Sequence, residues 1–70
     1  MNIYLLSQDA HAESIKSILM YAPSESVAVE HTLKDHFEGN GWVDNASEIE
    51  VKYLGFNPEI DQLGYITLFN

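Results

Sequence analysis

Ile49-Glu50-Val51-Lys52-Tyr53 alternates apolar and charged side chains without a break. A period of two puts one set of side chains on a core and the other in water, which a β-strand does and a helix cannot. The alternation ends at Gly55-Phe56-Asn57-Pro58, where glycine permits turn geometry and proline removes a ladder donor. Gly64-Tyr65-Ile66-Thr67-Leu68-Phe69 has the β-branched and aromatic composition of another strand. Asn2-Ile3-Tyr4-Leu5-Leu6 is a third such run, apolar at almost every position, and Ser7-Gln8-Asp9 closes it.

Between these strands, residues 24 to 37 read as a helix. Pro23 stops what precedes, and Ser24 or Ser26 can cap the first backbone N–H groups. Val29, Leu33 and Phe37 recur every four residues, along one face. Glu30 and Lys34 form an i,i+4 pair, and Gly39 stands where a C-terminal cap belongs. Residues 10 to 22 fit two descriptions. Ala12, Ile15, Ile18, Leu19 and Ala22 sit at helical spacings with Asp9 as cap, while Ser17-Ile18-Leu19-Met20-Tyr21 reads as a short buried strand.

Seventy residues leave apolar surface for one domain with one core. No cysteine is present, so no disulfide staples that core, and the composition fits a reducing cytosol. Neither a secretory signal pattern nor an apolar run of membrane-spanning length is visible. Eleven acidic residues against three basic ones give a formal charge of −8, yet nearly half the chain is hydrophobic. Disordered acidic tails lack that apolar content, so this chain is expected to fold and to present a negative surface. Such a surface repels phosphate, which argues against direct binding of nucleic acid or anionic membrane, and attracts basic proteins. The same charge also serves solubility.

Tyr4-Leu5-Leu6-Ser7-Gln8-Asp9 resembles the opening of a group of small, mostly uncharacterised phage and prophage proteins. Ala22-Pro23-Ser24-Glu25 lies where those proteins turn from a second strand into an acidic helix, and Trp42 lies in their connector. Glu50-Val51-Lys52-Tyr53-Leu54-Gly55 is similar to their third strand, and Gly64 to Asn70 to their last. The likeness departs between Ala10 and Ser17 and at Pro23. It implies a β-β-α-β-β order, an α+β fold with a small four-stranded antiparallel sheet and one helix on one face, and hence a strand over Lys16 to Ala22. It implies no catalytic residues.

The residues themselves carry no site of recognisable chemistry. His31 and His36 lie about 140° apart on a helix and cannot share a metal through one face. His31 with Asp35 supplies two ligands where zinc needs three or four. The serines stand in no nucleophile elbow, and Gly39-Asn40-Gly41 lacks the strand and helix of a phosphate cradle. Asn45-Ala46-Ser47 matches a glycosylation sequon that, without a secretory signal, reads as coincidence. The carboxylates do not follow a calcium-loop spacing. No enzyme activity, metal or cofactor is expected.

Two surfaces remain as candidates. Ile3, Leu5, Ile18, Met20, Ile49, Val51, Tyr53, Ile66 and Leu68 are expected to face the helix. Strand alternation then sends Tyr4, Leu6, Leu19, Tyr21, Leu54, Tyr65 and Phe69 to the opposite face. A face of that composition calls for a homodimer partner, a foreign protein, or the 38–48 connector with Trp42 and Val43 folded across it. The carboxylates Glu38, Asp44, Glu48, Glu50, Glu59 and Asp61 would supply electrostatics, with Glu48 and Glu50 sharing one face of a strand and Trp42 serving as an aromatic anchor. The leading expectation is a cytoplasmic, non-catalytic phage-type accessory protein that binds and inhibits a basic host protein. Anti-CRISPR and other anti-defence proteins offer the analogy, and mimicry of nucleic acid is one route. The alternative is a homodimeric structural or assembly module whose acidity serves solubility alone.

Overall fold

A computed structural model describes residues 1–8, 15–34, 42–43 and 45–69, with the side chains of 15, 16 and 69 left aside. The chain order is β1 (Asn2–Ser7), β2 (Ile15–Ala22), α1 (Glu25–Lys34), a 3-10 turn (Ala46–Glu48), β3 (Glu50–Phe56) and β4 (Gly64–Phe69). The four strands form one antiparallel sheet in the order β3-β1-β2-β4, with α1 on one face. The expected α+β fold is therefore present, and residues 15 to 22 are strand rather than helix. Two elements differ in extent. The 3-10 turn was not foreseen, and β3 runs through Gly55 to Phe56 instead of breaking at the glycine.

The helix starts as its sequence suggests. Between the two candidate serines, Ser24 is the cap: its Oγ accepts from Val27 N at 3.3 Å and its carbonyl from Ala28 N at 3.1 Å. The deepest helical residues are Ala28 and Thr32, both essentially inaccessible, with Val29 and Leu33 half-buried beside them. The core-facing line is thus one residue removed from the expected Val29–Leu33 line. Small side chains at Ala28 and Thr32 let the helix backbone settle close to the sheet. Thr32 is admitted because its hydroxyl donates to Val29 O at 2.8 Å, within its own helix. Phe37 and Gly39 lie outside the described residues.

Under α1 the core gathers Tyr4, Leu6, Ile18, Met20, Ala22, Ala28 and Trp42. Register explains the set. Tyr4 stands opposite Met20, and Leu6 opposite Ile18, so the two central strands give the same face to the helix. This corrects the expected orientation of β1: Tyr4 and Leu6 are buried beneath the helix, and Ile3 and Leu5 point the other way. A strand apolar at nearly every position has no polar residue to set its phase, and pairing with β2 decides it.

A bulge shapes β3. Tyr4 pairs with Tyr53 but Ile3 pairs with Gly55, which leaves Leu54 without a partner across the ladder. Gly55 carries the irregularity at φ 155°, a conformation L side chains rarely adopt, although nothing lies within 4 Å of where a Cβ would stand. The chain then crosses from one sheet edge to the other through residues 57–63, beneath the ends of β1 and β2. Met1 N donates to Asn57 O at 2.9 Å and Ile60 O at 2.8 Å, and Asn57 Oδ1 accepts from Glu59 N at 2.9 Å, which holds this crossing in place.

Candidate interaction surfaces

Register assigns the face turned away from α1. Lys52, Leu5, Leu19 and Ile66 form one cross-strand row; Gly55, Ile3, Tyr21 and Gly64 form a second; Glu50, Ser7, Ser17 and Leu68 form a third. The six apolar members are Ile3, Leu5, Leu19, Tyr21, Ile66 and Leu68. Tyr21 lies over Gly64, its Cδ2 3.6 Å from the place a Cβ would occupy. Charge on this face belongs to β3, in Glu50 and Lys52, and none to the rows' β4 end.

An apolar outer face was expected, but its membership changes. Leu19 and Tyr21 lie there as anticipated. Tyr4 and Leu6 are in the core, and Tyr65 lies on the helix side, its ring centroid 6.0 Å from that of His31. Ile66 and Leu68, expected inside, point outward and are 51% and 44% exposed. Thr67 is the cause. As the polar residue between them it suggested that its neighbours face the core, yet it pairs with Ile18 on the helix side. Leu54 is the bulged residue and half-exposed, and the side chain of Phe69 lies outside the described residues. Ile18, Met20, Val51 and Tyr53 face the helix side as expected, Tyr53 packing edge-on against Tyr4 at 5.7 Å.

Trp42 is not an exposed anchor. It is 5% exposed within the core beneath α1, and its indole Nε1 has no hydrogen-bond partner among the described residues. The adjacent Val43 N donates to Gln8 Oε1 at 2.8 Å, tying the connector to the end of β1. The connector thus sends its largest side chain to the helix side rather than over the outer face. Burial of a loop tryptophan leaves no periodic trace in sequence, so only its apolar bulk could have hinted at it.

The described carboxylates separate into groups. Glu48 and Glu50 are exposed at the end of the sheet beside Ser7, and line a small recess with Ser7 and Gln8. Glu48 closes the 3-10 turn and is not on a strand with Glu50, as had been expected. Asn45 of the sequon caps that turn, its Oδ1 accepting from Ser47 N at 3.1 Å and Ser47 Oγ at 3.0 Å. Glu59 and Asp61 occupy the crossing loop at the other end, one strand length away, about 20 Å. Glu38 and Asp44 lie outside the described residues, as do Asp35 and His36.

A further acidic site was not foreseen. Between α1 and β3 runs an open groove of about 430 Å³, its floor formed by Val29, Leu33, Ile49 and Val51, with Glu25 and Glu30 lining it. Lys34 donates to Glu30, and this hydrogen bond together with the lysine's charge holds the Glu30 carboxyl below the usual carboxylate range. The spacing of Val29 and Leu33 was legible, but their role as groove wall depended on β3 lying beside them. No group of metal-ligating side chains occurs among the described residues, and none of their helices is long and apolar enough to cross a membrane.

Fold and surfaces together define a small α+β protein: an antiparallel sheet with one helix-covered face, one apolar face, and carboxylates at its ends and along the helix groove. No known protein family, curated protein or solved structure is significantly similar to this chain.

Proposed function

We propose that this chain is a non-catalytic binding protein of the phage-accessory type that its sequence resembles, acting on a basic protein of the host cell. The groove between α1 and β3 is the observation that carries this reading. Its floor is apolar, and exposed Glu25 lines it beside the Lys34-paired Glu30, so its complement is a segment that offers aliphatic side chains next to a lysine or arginine. Glu48 and Glu50 flank the groove residue Ile49 in sequence and add negative charge at that end of the sheet, Glu50 from the outer face. Apolar contact would hold such a segment, and the net charge of −8 would speed its encounter. A basic host surface is often a nucleic-acid groove, and occupying it would inhibit.

The test uses the heparin-retained, basic fraction of a host lysate passed over the immobilised chain at low and high salt. A protein held at low salt by the wild type, lost at high salt, and not held by a Glu25→Gln/Glu48→Gln/Glu50→Gln variant supports the reading. Equal retention by wild type and variant contradicts it.

A further inference from the structure

The two edges of the sheet are built differently. Among the described residues, β3 and β4 each pair on one side only, so each leaves a ladder open. An open edge is a template for another strand, and folded proteins guard it with charge, bulges and proline. β3 has all three: exposed Glu50 and Lys52, the bulge at Leu54 and Gly55, and Pro58 just beyond. β4 has none. It reads Gly-Tyr-Ile-Thr-Leu-Phe, without a charged residue or a proline, and the register irregularity in its ladder with β2 falls on the β2 side, between Ile15 and Ser17.

We infer that β4 pairs with β4 of a second copy of this chain, antiparallel about a twofold axis, to make one eight-stranded sheet. Charge selects this occupant. A chain of −8 can approach its own copy only where it carries no acid, and β4 is such a strand. On the helix side of β4, Tyr65 lies over His31, beside Glu30 and Lys34, which pair with each other. A basic foreign partner would find carboxylates along the α1–β3 groove and none on β4. Antiparallel pairing of a strand with itself also satisfies the isologous requirement, each contact occurring twice. With the axis at Thr67, Ile66 and Leu68, both exposed on the outer face, would each meet the other's copy, and Ile66 would carry the apolar row of Leu5 and Leu19 up to the axis.

This inference does not rest on the binding reading, and the two respond to salt with opposite sign. Screening strengthens the pairing of two like-charged copies and weakens capture of a basic target. The test is solution mass by sedimentation equilibrium over a range of concentration and salt. Expected is a mass approaching twice 7.9 kDa, reached at lower concentration as salt rises. Ile66→Lys and Leu68→Lys should return the mass to that of the monomer, while Leu54→Lys on the other edge should not. Amide exchange of wild-type β4 gives a second readout that needs no variant, slowing as concentration rises. A monomer at every concentration, a dimer indifferent to lysine on β4, or β4 exchange independent of concentration would overturn the inference.

Discussion

Tyr4 stands directly opposite Met20 across the central hairpin, and both lie beneath α1, whereas Leu5 and Leu19, one residue along, form a pair on the far face of the sheet. This phase relation decides which residues are core and which are available for contact. It makes Leu6→Ala and Leu5→Ala unequal despite their adjacency. Leu6 is inaccessible to solvent, so its truncation leaves a cavity and should cost about 2–5 kcal/mol. Leu5→Ala should cost well under that, because its site is only half-buried. Urea unfolding of both variants checks the assignment, and a reversed order would mean that β1 faces the other way.

Gly55 tolerates a Cβ sterically but not conformationally. Gly55→Ala should therefore destabilise by about 1 kcal/mol or more, through φ strain at the bulge and not through a clash. Gly64→Ala meets only the Tyr21 ring, at ordinary contact distance, and should be the milder change. Thermal unfolding compares the two.

Trp42 offers a spectroscopic check on the connector. Buried in the core, it should emit at short wavelength and resist quenching by iodide in the native state. Trp42→Phe removes an indole N–H left without a partner among the described residues, which offsets part of the lost apolar area, so the fold should survive. Because Trp42 is not at the surface, that variant should capture the basic target as the wild type does.

Glu30 titrates under the influence of Lys34. The pair is solvent-exposed, so its effect is local, but its sign is definite. A carboxyl held below its ordinary value of 4.5 stabilises the folded form above that pH, and the contribution fades as pH falls through the lowered folded value. Lys34→Gln should move the Glu30 titration, followed by NMR, back up toward 4.5. No movement would separate the lysine from the carboxylate.

The order of elements was legible because each carries its own local signal: Ser24 before the helix, the charge alternation of β3, the β-branched and aromatic run of β4. The faces were legible only where polar residues mark the period. Glu50 and Lys52 bracket Val51 and set β3 correctly, but Asn2-Ile3-Tyr4-Leu5-Leu6 offers no such mark, and Thr67 marks the buried side of β4 instead of the exposed one. Pairing along the ladders, a long-range property, fixes these phases. The groove was hidden for the same reason, since Val29 and Leu33 are distant in sequence from Ile49 and Val51.

Binding of a basic partner through the acid-lined groove is tested most directly by the salt dependence of that affinity. A partner from the heparin-retained fraction, titrated onto wild type and onto Glu25→Gln/Glu48→Gln/Glu50→Gln across a salt series, gives two slopes of log affinity against log salt. A steep fall is expected for the wild type and a shallower one, from a lower starting affinity, for the variant. Coincident lines, or a wild-type affinity that ignores salt, would contradict it.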